Sequence, residues 1–75
     1  MNNKSNETLT FELRAEYIEL HKLLKLESLV SSGGEAKLAI SNGHVFLNGN
    51  REIQKRKKIR KRDRVVFNGV TIVIA

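Results

Sequence analysis

Nine of the fourteen basic residues fall in one stretch: Arg51, Lys55, Arg56, Lys57, Lys58, Arg60, Lys61, Arg62 and Arg64. Ammonium and guanidinium groups at that density do one kind of chemistry well: they bind polyanions, phosphate above all. Only Glu52 and Asp63 offset them, so the stretch carries +7 and the rest of the 75-residue chain sums to −1. A run of this kind can also be a disordered tail or a solvated face. Here Ile53 and Ile59 interrupt the charges, and the apolar run Val65 to Ile74 follows. The basic segment therefore reads as a positioned surface pinned between ordered elements, and its charge points to nucleic acid. Arg56 and Lys57 are expected to be exposed on it.

Other chemistries find little support. There is no Cys, so disulfides, thiolate metal sites and cysteine nucleophiles are excluded. Two histidines, His21 and His44, are too few for a metal centre and read as surface or turn residues. Glu12, Glu16 and Glu19 alternate with apolar core positions and have no pocket, so they do not make an acid–base pair. Ser31 and Ser32 read as helix caps, not nucleophiles. No phosphate-loop or dinucleotide fingerprint is present, so no cofactor is expected. Seventy-five residues seldom build the walls of a substrate pocket. No enzyme activity, small-molecule substrate or metal is therefore assigned. The start, Met1 to Glu7, is polar and lacks the apolar centre of a signal peptide. No apolar run reaches the roughly 18 residues of a membrane span. A cytoplasmic protein that does not engage membrane is the expectation.

The elements that must hold the basic surface follow from hydrophobic period and turn chemistry. Residues 1–7 read as a disordered tail and 8–75 as a single domain. Leu9, Phe11 and Leu13 alternate with Thr10 and Glu12, which predicts a short strand. A helix is predicted from Ile18 or Glu19 to about Glu27, with Leu20, Leu23 and Leu24 as its apolar stripe and Lys22 and Lys25 opposite. A second helix of about ten residues starts at Ser32, where Ser32 and Glu35 fit a reciprocal capping box. It buries Ala36, Ala39 and Ile40 and ends at Asn42-Gly43. Val45 and Leu47 predict a strand, and Asn48-Gly49 a tight turn. Arg51 to Gln54 is the return strand, with Ile53 pointing inward. Arg64 to Phe67 and Val70 to Ile74 form a hairpin around Asn68-Gly69. The expected core is Leu20, Leu23, Leu24, Ala36, Ile40, Val45, Leu47, Ile53, Val65, Phe67 and Ile72, with Ile59 anchoring the basic loop. Phe46 is expected to pack under the N-terminal strand. It is also the only aromatic residue expected beside the basic region.

Gly33 and Gly34 fall in the first turn of the second helix. They fit either close backbone packing or a backbone phosphate site, since free N–H groups at a helix start attract anions.

Read in order, Leu23-Leu24-Lys25-Leu26, Ser32-Gly33-Gly34-Glu35-Ala36-Lys37, Ile40, Gly43-His44-Val45, Leu47-Asn48-Gly49 and the Lys/Arg run resemble the S4-type RNA-binding domain. The small stand-alone bacterial form is the nearest variety, and the resemblance spans roughly residues 17–74. It implies an α+β fold, the αL motif, in which two short helices pack on a small twisted, mainly antiparallel sheet. It also implies binding of structured RNA, ribosomal or transfer RNA, in ribosome assembly or translation. Carried over by position, Lys25 and Lys37 match basic helix positions. Asn48, Arg51, Lys55, Arg56, Lys57 and Lys58 match the turn and basic segment. Gly33 stands where many members have Arg. Arg62 stands where a Gly commonly precedes the Asp of the late turn. A monomer is the expected state.

Two other readings stay open. A DNA-binding helix pair needs base-reading side chains, and the second helix offers only Lys37, Leu38 and Ser41. A protein-interaction module docking on a ribosome-associated factor would bind through apolar contacts with little salt dependence.

Overall fold

The computed structural model describes residues 7–75. The expected disordered tail over residues 1–7 falls, apart from Glu7, outside the described residues. Glu7 itself opens the first strand. In chain order the elements are β1 (Glu7–Phe11), β2 (Ile18–Glu19), α1 (Leu20–Leu26), α2 (Gly33–Ser41), β3 (Val45–Leu47), β4 (Asn50–Arg51), β5 (Lys58–Ile59), β6 (Arg64–Phe67) and β7 (Val70–Ile74). Five strands form one sheet in the order β1-β7-β6-β3-β4, and β2 pairs with β5 in a separate ribbon. Only β1 with β7 is parallel; the other pairs are antiparallel. This is the expected α+β arrangement of two short helices on a mainly antiparallel sheet.

Asn48-Gly49 and Asn68-Gly69 make the tight turns expected of them. Asn48 and Gly49 have φ of 51° and 89°, and Asn68 and Gly69 have 52° and 80°. Positive φ at both central residues is the signature of the hairpin turn whose twist matches its strands. The first turn pairs Leu47 with Asn50 and the second pairs Val65 with Ile72, while the β3–β6 pairing places Leu47 opposite Val65. One sheet face is then apolar. It meets Leu20, Leu23 and Leu24 of α1 and Ala36 and Ile40 of α2, all fully buried with Val45, Ile59, Val65 and Ile72. Burying such a side chain contributes about 1.5–3 kcal/mol each. Leu13, Val30 and Ile74 complete the core, and Leu47 and Phe67 pack half-buried against it.

Several expectations change. Ile18 and Glu19 do not begin the first helix; they pair with Ile59 and Lys58 as β2. Backbone acceptors from the basic segment set the helix start at Leu20. Ile53 is 59% exposed, not inward. Strand pairing of β4 stops at Arg51, and the Glu52 carboxylate then accepts from Gln54 N–H at 3.0 Å and turns the chain. Phe46 does not lie under β1, because β6 and β7 stand between their strands. It sits on the other sheet face, paired with Arg51 and Val66. His21 is neither surface nor turn: it is buried on α1, and its Nε2 donates to Glu19 Oε1 at 2.9 Å. The capping box closes one residue early. Ser32 Oγ accepts from Glu35 N–H at 3.1 Å, but the Glu35 carboxylate reaches the N–H and hydroxyl of Ser31 instead of Ser32. Those two donors hold the Glu35 carboxyl below its ordinary range.

Candidate nucleic-acid interface

The basic segment is docked by its backbone, which leaves its side chains free. Helix α1 begins without a side-chain cap at Glu19. Its first N–H groups would otherwise be orphaned. Leu20 N–H donates to the carbonyl of Lys57 at 2.9 Å, and His21 N–H to that of Lys55 at 3.1 Å. The loop main chain thus serves as the helix cap. Immediately after it, Ile59 enters the core at full burial. The next turn is tied down in turn. The Asp63 carboxylate accepts from Arg60 N–H at 2.7 Å and from Asn48 Nδ2 at 3.0 Å. Asn48 Oδ1 accepts from Arg64 N–H at 2.9 Å.

Lys55, Arg56, Lys58, Arg60, Lys61, Arg62 and Arg64 are exposed on this frame, whereas Lys57 is half-buried. That last placement corrects the expectation of an exposed Lys57: its carbonyl is the acceptor for Leu20, and this draws the residue against the helix. Among the described residues, the ion pairs join Glu12 to Arg14 and Glu19 to His21 and Lys22; none involves the basic segment. Its charges repel one another and remain available to an anion. Gln54, Arg56, Lys57, Lys58 and Arg60 line an open depression of about 290 Å³. Glu19 faces this surface through its strand pairing with Lys58. Its carboxyl is held below the ordinary range first by the hydrogen bond from His21, and then by the charges of Lys22 and Arg56.

The remaining sequence-predicted residues lie around this centre. Lys25 occupies the last turn of α1, roughly 7.5 Å along the axis from the docked Leu20 at a rise of about 1.5 Å per residue. Lys22 stands one turn before it on the same side and extends the cationic surface between them. Lys25 also lines a depression of about 480 Å³ with Ser28, Ser31 and Glu35 beside the start of α2. Lys37 is half-buried on α2. Arg51 is exposed, with its guanidinium 5.5 Å from the centre of the Phe46 ring. The side-chain amide of Asn48 is committed to Asp63 and Arg64, so Asn48 shapes the turn that carries the basic residues. Gly33 and Gly34 face open space: a Cβ at Gly33 would meet nothing within 4 Å, and one at Gly34 only Ser32 Oγ at 3.9 Å. Close packing is therefore not the reason for glycine there.

Sequence reasoning missed three residues at this surface. From the sequence, Lys22 falls on the polar helix face and Arg60 is one charge of the run, with no site marked for either. Tyr17 went unnoticed, although it, and not Phe46 alone, is an aromatic residue beside the basic region. Its ring has the Lys58 ammonium 4.9 Å and the Arg60 guanidinium 6.0 Å from its centre. No spacing in the sequence signals this contact, because only the pairing of β2 with β5 brings Tyr17 to Lys58.

This geometry has known relatives. The S4 domain family matches residues 11–75. “Putative RNA-binding protein YbcJ” of Escherichia coli (strain K12) is 41% identical over 66 residues, covering 87% of this chain and 94% of its own. “Uncharacterized protein YbcJ” of Shigella flexneri matches to the same extent. The solution structure of E. coli YbcJ, described as revealing an αL motif involved in RNA binding, has a TM-score of 0.62 at 36% identity. It covers 97% of this chain and 94% of that one.

Proposed function

The chain belongs to the S4 domain family, and from that membership we propose that it is an RNA-binding module gripping structured RNA, ribosomal or transfer RNA, in ribosome assembly or translation. One observation carries the reading. The basic segment is held by its own carbonyls on α1, and its cations have no carboxylate partners among the described residues. A rigid surface of unpaired charge suits phosphates fixed in space, as in folded RNA, better than a flexible tail would. The names of the E. coli relative and of its structure, which speak of RNA binding, support the same reading.

In this reading Lys55, Arg56, Lys57 and Lys58 contact phosphates, with Lys25, Lys37 and Arg51 widening the footprint. Asn48 holds the turn. The uncrowded backbone at Gly33 and Gly34 leaves room for a further phosphate at the start of α2. The surface offers few groups for reading bases in a groove, so shape and phosphate recognition fits RNA better than the DNA major groove. The module acts as a cytoplasmic monomer without a cofactor, and no catalytic role is assigned to it. No described helix is long and apolar enough to cross a membrane.

A second reading has its own observation. Leu26, Leu38 and Ile53 are 59–63% exposed, which would suit a protein partner on a ribosome-associated factor. Crosslinking the protein to RNA in its native cells, followed by sequencing, decides between them. Enrichment of ribosomal or transfer RNA over a Lys55→Ala/Arg56→Ala control supports the first reading. Recovery at the level of that control contradicts it.

A further inference from the structure

We propose that Tyr17 is a stacking platform for one unpaired RNA base, a role that rests on the RNA reading above and adds to it a preference for looped over fully paired RNA. Tyr17 is 37% exposed; it lines one open depression, and the two cations beside its ring line another. On one side lies the cationic depression of about 290 Å³ that contains Lys58 and Arg60, the two residues whose charges sit 4.9 and 6.0 Å from the ring centre. On the other lies a depression of about 380 Å³, lined by Ala15, Glu16, Tyr17, Ile18, Glu19 and Lys22.

The two sides suit the two parts of a nucleotide. Phosphate is drawn to the side of Lys58 and Arg60. On the other side the carboxylates of Glu16 and Glu19 outnumber the single cation, Lys22, which itself lies 3.9 Å from Glu19, so phosphate is less favoured there. There a base finds an aromatic face in Tyr17, an aliphatic neighbour in Ile18, and carboxylate acceptors for its amino or imino hydrogens. Stacking on an aromatic ring tolerates any base, so this contact selects for an accessible base more than for its identity. A base inside a continuous duplex is not accessible to it.

Tyr17 is the only tyrosine and the chain has no tryptophan, so its fluorescence reports on this one ring. The test uses a hairpin RNA with unpaired loop nucleotides and a fully paired duplex with the same number of phosphates. Wild type, Tyr17→Phe and Tyr17→Leu are titrated against both, with thermal melts to confirm folding. Tyr17→Phe keeps the ring and should bind like wild type. Tyr17→Leu keeps apolar bulk without the ring. It should bind the hairpin about 5- to 150-fold more weakly, the range given by loss of one stacked base, and the duplex unchanged. Wild-type fluorescence, corrected for absorption by the RNA, should be quenched by the hairpin and not by the duplex. Equal hairpin affinity for Tyr17→Leu and wild type, or equal quenching by the two RNAs, overturns the platform while leaving the phosphate surface standing. Failure of the wild type to bind either RNA overturns both. Should Tyr17→Leu not fold, the quenching contrast in wild type decides alone.

Discussion

Replacing Arg62 by glycine should make the domain more stable, although it removes a side chain. Arg62 has φ of 80°, and an L-residue in the left-handed region is strained by roughly 1–2 kcal/mol. The backbone cannot relax out of it cheaply. Arg62 N–H donates to Ile74 O at 2.8 Å, and Asp63 N–H closes the turn on Arg60 O at 3.1 Å. Glycine removes the strain, but it adds freedom to the unfolded chain worth about 0.4–1 kcal/mol. The balance is a gain of about 0.5–1 kcal/mol, which raises Tm by roughly 2–8 °C in a domain of this size. Arg62→Ala is the control, because it deletes the same charge and keeps the strain. Melts of the three proteins at one pH and salt should place Arg62→Gly above both wild type and Arg62→Ala. If Gly and Ala melt together, backbone strain is not what limits this turn.

Other outcomes follow from the same geometry. Leu24→Ala empties a fully buried site and should cost roughly 2–5 kcal/mol in a denaturant titration; a melt like wild type would place Leu24 outside the core. Gly34→Glu has room in the fold and should weaken RNA binding by setting a carboxylate where the start of α2 attracts phosphate; unchanged affinity removes that phosphate from the account. The Glu35 carboxyl titrates below its ordinary value of 4.5 because Ser31 donates to it. Its contribution to stability is therefore full above that value and is lost as pH falls through the lowered one. Melts from pH 7 downward should show Glu35→Gln with a shallower acid loss than wild type, and identical profiles would refute the assignment.

Much of this architecture was legible from local chemistry. Asn48-Gly49 and Asn68-Gly69 favour positive-φ turns on local grounds, and Leu20, Leu23 and Leu24 share a helix face by their spacing. Ser32 and Gly43 bound the second helix for equally local reasons. What escaped was set by long-range contacts. Ile18 and Glu19 look helical until Lys58 and Ile59 offer them a partner strand. Ile53 looks buried until the Glu52 side chain bends the chain away. The nine cations announced the surface by number alone. Their ordering through the Lys55 and Lys57 carbonyls, and the arrival of Tyr17 beside them, depend on the fold. Arg62 lies between these cases. Its departure from the family's usual glycine was visible, but the strain behind it required the turn.

The central claim is that an exposed, docked cationic surface holds RNA by phosphate contacts, and its salt dependence tests this most directly. If the surface neutralises about four to six phosphates, log affinity against log salt should have a slope between roughly −3 and −5. Lys55→Ala/Arg56→Ala removes two exposed charges and leaves the half-buried Lys57 in place. Titrating wild type and this double variant against a folded ribosomal RNA fragment at several salt concentrations gives both slopes. The account predicts a slope flatter by about 1 to 2 in the variant, with similar losses across RNA sequences and little change in melting. Equal slopes for the two proteins, or a wild-type slope near zero, would contradict it.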